Sequence, residues 1–184
     1  MREFTNTVAI LLQLVRYHGS VFLKKLQAYP PLALWVFAVY LIFEPIPPPT
    51  NVVQAYAATS MWLFFAIVWF GYMFLSDFDT VTEHLLILQT NSRVLYSASK
   101  ILFLIAVCLV FSLFGSAYPL ILEFVFGIMG YAFIADGMGF VDFLGGLLLH
   151  IIVGTLGISV AFLFHPARPN ATIILRLQCW LCLH

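Results

Sequence analysis

Long apolar segments separated by short polar ones make up most of this 184-residue chain. A membrane-crossing helix needs about 20 mainly apolar residues. Four segments fit that length: 28–46, 53–75, 101–122 and 143–164. A fifth, 124–135, has the length of an interfacial or re-entrant piece. The pattern predicts an all-α polytopic membrane protein, with a transmembrane domain over 28–184, four transmembrane helices and a candidate start of a fifth in the tail.

The composition agrees with a membrane protein. Hydrophobic residues make up 63% of the chain and charged residues 9%, and the mean hydropathy is +1.04. Soluble domains carry about 25% charged residues, so a water-soluble globule is excluded. Eight Lys and Arg are balanced by eight Asp and Glu. The excess of cations that marks a nucleic-acid-binding protein is therefore absent, and no nucleic-acid partner is expected.

The cations lie on one side of the four-span arrangement. The connections after the first and third spans contain no Lys or Arg; Glu44 lies at the end of the first span, and Glu123, Asp136 and Asp142 follow the third. Positively charged loops face the cytoplasm in membrane proteins. We therefore expect a multi-pass protein of the cell membrane with a cytoplasmic N-terminus. The eight cations are Arg2, Arg16, Lys24, Lys25, Arg93, Lys100, Arg168 and Arg176.

The segment 1–27 has the pattern of an amphipathic helix. On a helical projection one face is apolar, and the opposite face carries most of the polar and charged side chains. The apolar face consists of Phe4, Val8, Leu11, Leu12, Val15, Phe22 and Leu26. A helix of this kind lies in the membrane surface with its lysines near anionic lipid headgroups. The alternative is an amphipathic helix packed on a soluble core, but the sequence offers no soluble domain for it to pack on.

A second short amphipathic helix is predicted between the second and third spans. Thr80 and Glu83 have the spacing of a capping box, which marks the start of a helix. A narrow apolar stripe follows on a helix over about 81–90, formed by Val81, Leu85 and Leu88, and Asn91 and Ser92 break it. Two interpretations are open: the helix docks on a cytoplasmic partner, or its leucines rest on the bilayer surface.

His150 is the ionisable residue deepest inside a predicted span. Ionisable groups are costly in lipid and are therefore candidates for function. Gly146 and Gly154 lie one turn before and one turn after it, and Gly157 follows. Small residues at this spacing allow helices to approach closely. A neutral histidine in a helix-packing face is the simpler interpretation, and a place on a substrate or proton path is the alternative.

The polar connection resembles a known family. Its residues Glu83, Leu86, Leu88, Thr90, Ser92, Arg93, Tyr96 and Lys100, after an amphipathic start and two spans, resemble the permease subunit of exporter-type ABC transporters, the ABC-two-type family. The end of the fourth predicted span, Phe164 to Arg168, is similar to that family's cytoplasmic turn before its fifth span. Family members usually have six spans, and this chain stops where the fifth would begin.

The resemblance implies a set of partners. The predicted helix would be the coupling helix that contacts a cytoplasmic ATP-binding subunit, with the contact formed by Thr80, Glu83, Leu85, Leu88, Thr90 and Arg93. A second permease subunit, identical or different, would complete the transporter, which moves its substrate by alternating access. The chain has no Walker phosphate loop, so we expect ATP hydrolysis on the partner subunit and no enzymatic, cofactor or metal site on this chain.

Two other functions remain open from the sequence. One is a small secondary or proton-coupled transporter that uses His150. The other is a non-transporting membrane scaffold or immunity-type protein. Dependence on an ATPase separates the permease from both alternatives, and a titrating intramembrane histidine separates the two alternatives from each other.

The charge distribution predicts the topology. A cysteine introduced at position 93 should be protected from an impermeant thiol reagent in intact cells, and a cysteine at position 137 should be labelled. The physical reason is the one-sided placement of the cations. External labelling at position 93 would contradict the four-span arrangement, as would protection at position 137.

Overall fold

The computed structural model describes residues 2–25, 29–43, 52–77, 80–128 and 139–164. Within these ranges the chain forms α-helices and no strand, as the all-α prediction requires. The helices are α1 (Arg2–Leu23), α2 (Tyr29–Phe43), α3 (Val52–Ser76), α4 (Thr80–Thr90), α5 (Arg93–Ile128) and α6 (Phe140–Phe164).

Three of the described helices, α3, α5 and α6, are long and apolar enough to cross a membrane. The helix α2 is apolar, but its 15 residues fall short of the roughly 20 that a span needs. The last residues of the predicted first span, 44–46, lie outside the described residues, as does the tail from residue 165 with the predicted start of a fifth span. Three long apolar helices indicate a membrane-embedded protein, and the fourth span stays a prediction.

The helix α5 is longer at both ends than the predicted third span. It has 36 residues, which at a rise of 1.5 Å each make it about 54 Å long. Phe124 to Ile128 continue this helix and do not begin a separate short segment, contrary to expectation; residues 129–135 lie outside the described part. A helix satisfies its backbone hydrogen bonds internally, so an apolar chain favours its continuation, even past Pro119, which lacks an N–H donor.

The centre of the fold is the contact of α6 with α3 and α5. The face of α6 that carries Gly146, His150, Gly154 and Gly157 is buried. A Cβ atom on Gly146 would lie 2.6 Å from Cζ of Tyr56, and one on Gly154 would collide with Sγ of Cys108. Helices in lipid gain stability from close packing, and these glycines allow α6 to lie directly against its neighbours.

The inner face of α1 packs on α3 and α5. Leu14, His18 and Phe22 are buried, and the Phe22 ring contacts the rings of Phe70 and Phe74 on α3. Leu12, which belongs to the predicted apolar face, remains exposed. The side of α1 that meets protein is therefore rotated from the predicted apolar face, and it includes a histidine.

Replacement of Gly154 by Leu should destabilise the packed helices. The new side chain would have to occupy the position of the Cys108 sulfur, and overpacking of this kind costs roughly 1–3 kcal/mol. Thermal unfolding of the purified chain in detergent measures the effect as a lower melting temperature.

Gly145→Leu is the matched control, because a Cβ at Gly145 meets no atom within 4 Å. It should melt close to the parent chain. If both variants melted alike, the Gly154 face would not be a packing face.

Candidate functional site

The helix α4 occupies the position of the predicted coupling helix. It runs from Thr80 to Thr90 and lies between α3 and α5. Its first residue is the predicted capping residue Thr80, whose side chain lies outside the described part of the structure. The Glu83 carboxylate contacts α5, through an ion pair with Lys100. Glu83, which the sequence pattern assigns to the capping box, therefore joins α4 to α5.

The apolar stripe of α4 points away from the protein. Val81, Leu85 and Leu88 are 61%, 60% and 75% exposed. They are spaced by four and three residues and so lie on one side of the helix. Because α4 is held to α5 through Glu83, this stripe is a fixed apolar surface.

Local hydrogen bonds determine the end of α4 and the start of α5. The Thr90 hydroxyl donates to the carbonyl oxygen of Leu86 at 2.9 Å. Asn91 has a φ of 51°, a left-handed conformation that Asn tolerates at the end of a helix. The Ser92 hydroxyl then accepts the N–H of Leu95 at 3.2 Å, which caps α5. The break lies at Asn91 and Ser92, and Arg93 follows as the exposed first residue of α5.

Lys100, on α5, is the largely buried cation that pairs with Glu83 on α4. Its Nζ atom lies 3.2 Å from Oε1 of Glu83 and 4.5 Å from the centre of the Tyr96 ring. The Lys100 side chain is 11% exposed and that of Glu83 is 31% exposed. An ammonium group buried to this degree needs a counter-charge, which Glu83 supplies, and the aromatic ring adds a cation–π contact.

The helix α1 also contacts the first two turns of α5, residues 93–100, which carry Lys100. Nε2 of His18 lies 2.9 Å from Oγ of Ser99. The Ser99 hydroxyl donates its single hydrogen to the carbonyl oxygen of Tyr96 at 2.7 Å, so the histidine Nε2–H donates to Ser99. The His18 ring also meets the Tyr96 ring edge-on, with ring centres 5.6 Å apart.

Burial and the nearby Lys100 charge lower the pKa of His18 from 6.5 to about 4. Both effects disfavour a second positive charge beside the ammonium group. His18 is therefore neutral at physiological pH. In this form it serves as a hydrogen-bonding contact between α1 and α5 and places no further positive charge beside Lys100.

A second ion pair joins the residues that follow α1 and α3. Nζ of Lys25, just after α1, lies 2.7 Å from Oδ1 of Asp77, just after α3. The Asp77 side chain is nearly buried. This ion pair joins the end of α1 to the end of α3, and the first turn of α4 is joined to α5 through Glu83.

His150 lies buried in the glycine face of α6, away from the polar residues of α4. Its Nδ1 atom lies 2.6 Å from the carbonyl oxygen of Gly146, which can only accept, so Nδ1 carries a hydrogen. Its Nε2 atom lies 3.0 Å from Oγ1 of Thr59 on α3. The Thr59 hydroxyl has one hydrogen, which it shares between this Nε2 atom and the carbonyl oxygen of Tyr56 at 3.1 Å. Both ring nitrogens lie within hydrogen-bond distance of a partner, and the histidine joins α6 to α3.

The predicted site residues form two groups. Thr80, Glu83, Leu85, Leu88, Thr90 and Arg93 lie on α4 and at the start of α5; Gly146, His150 and Gly154 lie on α6. Sequence reasoning missed His18 and Ser99, which are 81 positions apart, and the pair of Lys25 with Asp77, which are 52 apart. A polar residue interrupting the apolar face of α1 was the available signal for His18.

The described residues include no group of three or more His, Cys, Asp or Glu that could hold a metal ion. Comparison of the chain with protein-family models, with curated proteins and with solved structures finds no match. The resemblance to the ABC permease family therefore stays a prediction, and the geometry of α4 is the basis for a functional proposal.

Proposed function

We propose that this chain is the membrane-spanning permease subunit of an ATP-driven exporter. In this proposal α4 is the coupling helix that docks on a cytoplasmic ATP-binding subunit. A second permease subunit completes the transporter, and an unidentified substrate is moved by alternating access. ATP is bound and hydrolysed on the partner, and this chain transmits the movement.

The observation that carries the proposal is the fixed, exposed stripe of α4. Complete burial of a Val or Leu side chain is worth about 1.5–3 kcal/mol, and more than half of each stripe residue is still exposed. A docking partner would gain that free energy without first having to order the helix, because Glu83 already holds it to α5. A preorganised surface loses less entropy on binding.

The connection from α4 to the spans supports a mechanical role. The first two turns of α5, residues 93–100, carry Lys100 and continue without interruption into the apolar part of the helix. A push on α4 would reach α5 through the Glu83–Lys100 ion pair. In the proposal this displacement reorients the spans when the ATP-binding subunits close.

Site-specific photocrosslinking tests the proposal. A photoreactive amino acid at position 88, at the centre of the exposed stripe, should crosslink in native membranes to a protein with Walker motifs. The double variant Leu85→Ser and Leu88→Ser should reduce copurification of that ATPase at least tenfold, because it removes the apolar contact and leaves the Glu83 anchor intact.

Position 152 provides the control. Ile152 is 57% exposed on α6, in the middle of an apolar helix, and should crosslink to lipid or to the second permease subunit and not to the ATPase. If position 88 gave only lipid adducts, the stripe would rest on the bilayer and the permease proposal would be wrong.

A further inference from the structure

A cleft lies between the first turns of α3 and α6, at the end of these helices away from α4. Its volume is about 330 Å³, at the lower end of the range for sites that take small molecules. Val53 and Val141 flank it, Leu149 contributes a further apolar wall, and Tyr56 lies on the α3 side. The walls are apolar and aromatic, as in most small-molecule sites.

Two adjacent glycines give the cleft its shape. Gly146 lies directly on the Tyr56 ring, so the helices are in contact at that point. A Cβ on Gly145 would meet no atom within 4 Å, and Gly145 lines the cleft. The space beside Gly145 is therefore open, and a longer side chain at this position would fill it without displacing the backbone.

Asp142 provides the charge of the cleft. It is the one charged side chain among the described lining residues, and it is exposed. One of its oxygens, Oδ2, accepts the N–H of Gly139 at 2.9 Å. A carboxylate has about four acceptor positions, so this cap leaves capacity for a ligand. Glu123, near the end of α5, is a second acidic residue toward this end of the described helices, and negative charges of this kind attract cations.

We propose that this cleft binds a small organic monovalent cation, such as an ammonium ion with an apolar body. The carboxylate would meet the positive group, and the valine, leucine and tyrosine side chains would cover the apolar part. A divalent metal ion fits less well, because such ions take several oxygen ligands and the described lining provides a single carboxylate. The cleft belongs to this chain alone, so the proposal goes beyond ATPase docking and does not depend on it.

A pair of ligands with the same shape and different charge tests the proposal. Phenyltrimethylammonium carries one positive charge, and tert-butylbenzene is its uncharged isostere. Binding to the purified full-length chain in maltoside micelles is measured by equilibrium dialysis, with empty micelles as the blank. The cation should bind at least tenfold more tightly than the neutral compound, because opposite charges in contact near a protein surface attract appreciably.

Three variants identify the residues responsible. Asp142→Asn keeps an acceptor for the Gly139 N–H and should remove the preference for the cation while leaving the weak neutral binding unchanged. Gly145→Leu should weaken binding of both compounds, because it fills the cleft. Glu123→Gln removes an acidic residue at the same end that does not line the cleft, and it should bind as the parent does. Thermal unfolding establishes that each variant is folded.

Equal affinity for the two compounds would overturn the proposal, as would an Asp142→Asn variant that binds like the parent. An equal loss in Glu123→Gln and Asp142→Asn would also overturn it, because the cation would then be attracted by the general field alone. Added dodecylphosphocholine separates two sources of the same chemistry. Competition would identify a lipid choline headgroup as an occupant, and its absence would identify a free cation; both results support an ammonium site.

Discussion

A buried ammonium group, that of Lys100, determines how one end of this protein is arranged. The residue lies where the polar start of α5 meets its apolar part, and its side chain is largely removed from solvent. A charge in this position must be paired. Glu83 pairs with it from α4, Tyr96 lies beneath it on α5, and the neutral His18 on α1 lies beside it without adding a second charge.

This pairing connects the surface helix to the spans. An exposed ion pair is worth about 0.2–1 kcal/mol, whereas breaking a fully buried pair costs about 3–5 kcal/mol. The Glu83–Lys100 pair is partly buried and belongs between these limits. Isolated helices as short as the 11-residue α4 are marginal in water. A stabilising free energy between these limits therefore helps to hold α4 in one position. The exposed leucines of α4 are thereby held in a fixed position at the surface.

The α6 interface is held together by other means. Lipid tails are as apolar as the side chains, so the hydrophobic effect does not drive helices together inside a bilayer. Close contact through Gly146, Gly154 and Gly157 provides the packing, and the hydrogen bonds of His150 to Thr59 and Gly146 provide direction. The same glycine-rich face also forms the cleft, because Gly145 lies beside the contact and leaves room there.

Periodicity and local signals in the sequence predicted the helices well. The break at Asn91 and the small-residue spacing of α6 depend on neighbours in sequence, and both could be read from the chain. The pairing of His18 with Ser99 and of Lys25 with Asp77 depends on how α1 crosses α3 and α5, which no local pattern encodes. The predicted third span ends at residue 122, whereas α5 continues to Ile128, because an apolar environment favours continuation of the helix.

Hydrogen exchange of α4 tests most directly whether Lys100 holds this helix in place. In the Lys100→Met variant, amide exchange over residues 80–90 should rise at least tenfold while exchange in α3 and α6 stays unchanged. Arg93→Met removes a positive charge from an exposed position on α5, the helix that also carries Lys100. This variant should leave α4 protected. Equal protection of α4 in the parent and in Lys100→Met would contradict the account, because the helix would then be held by something other than this ion pair.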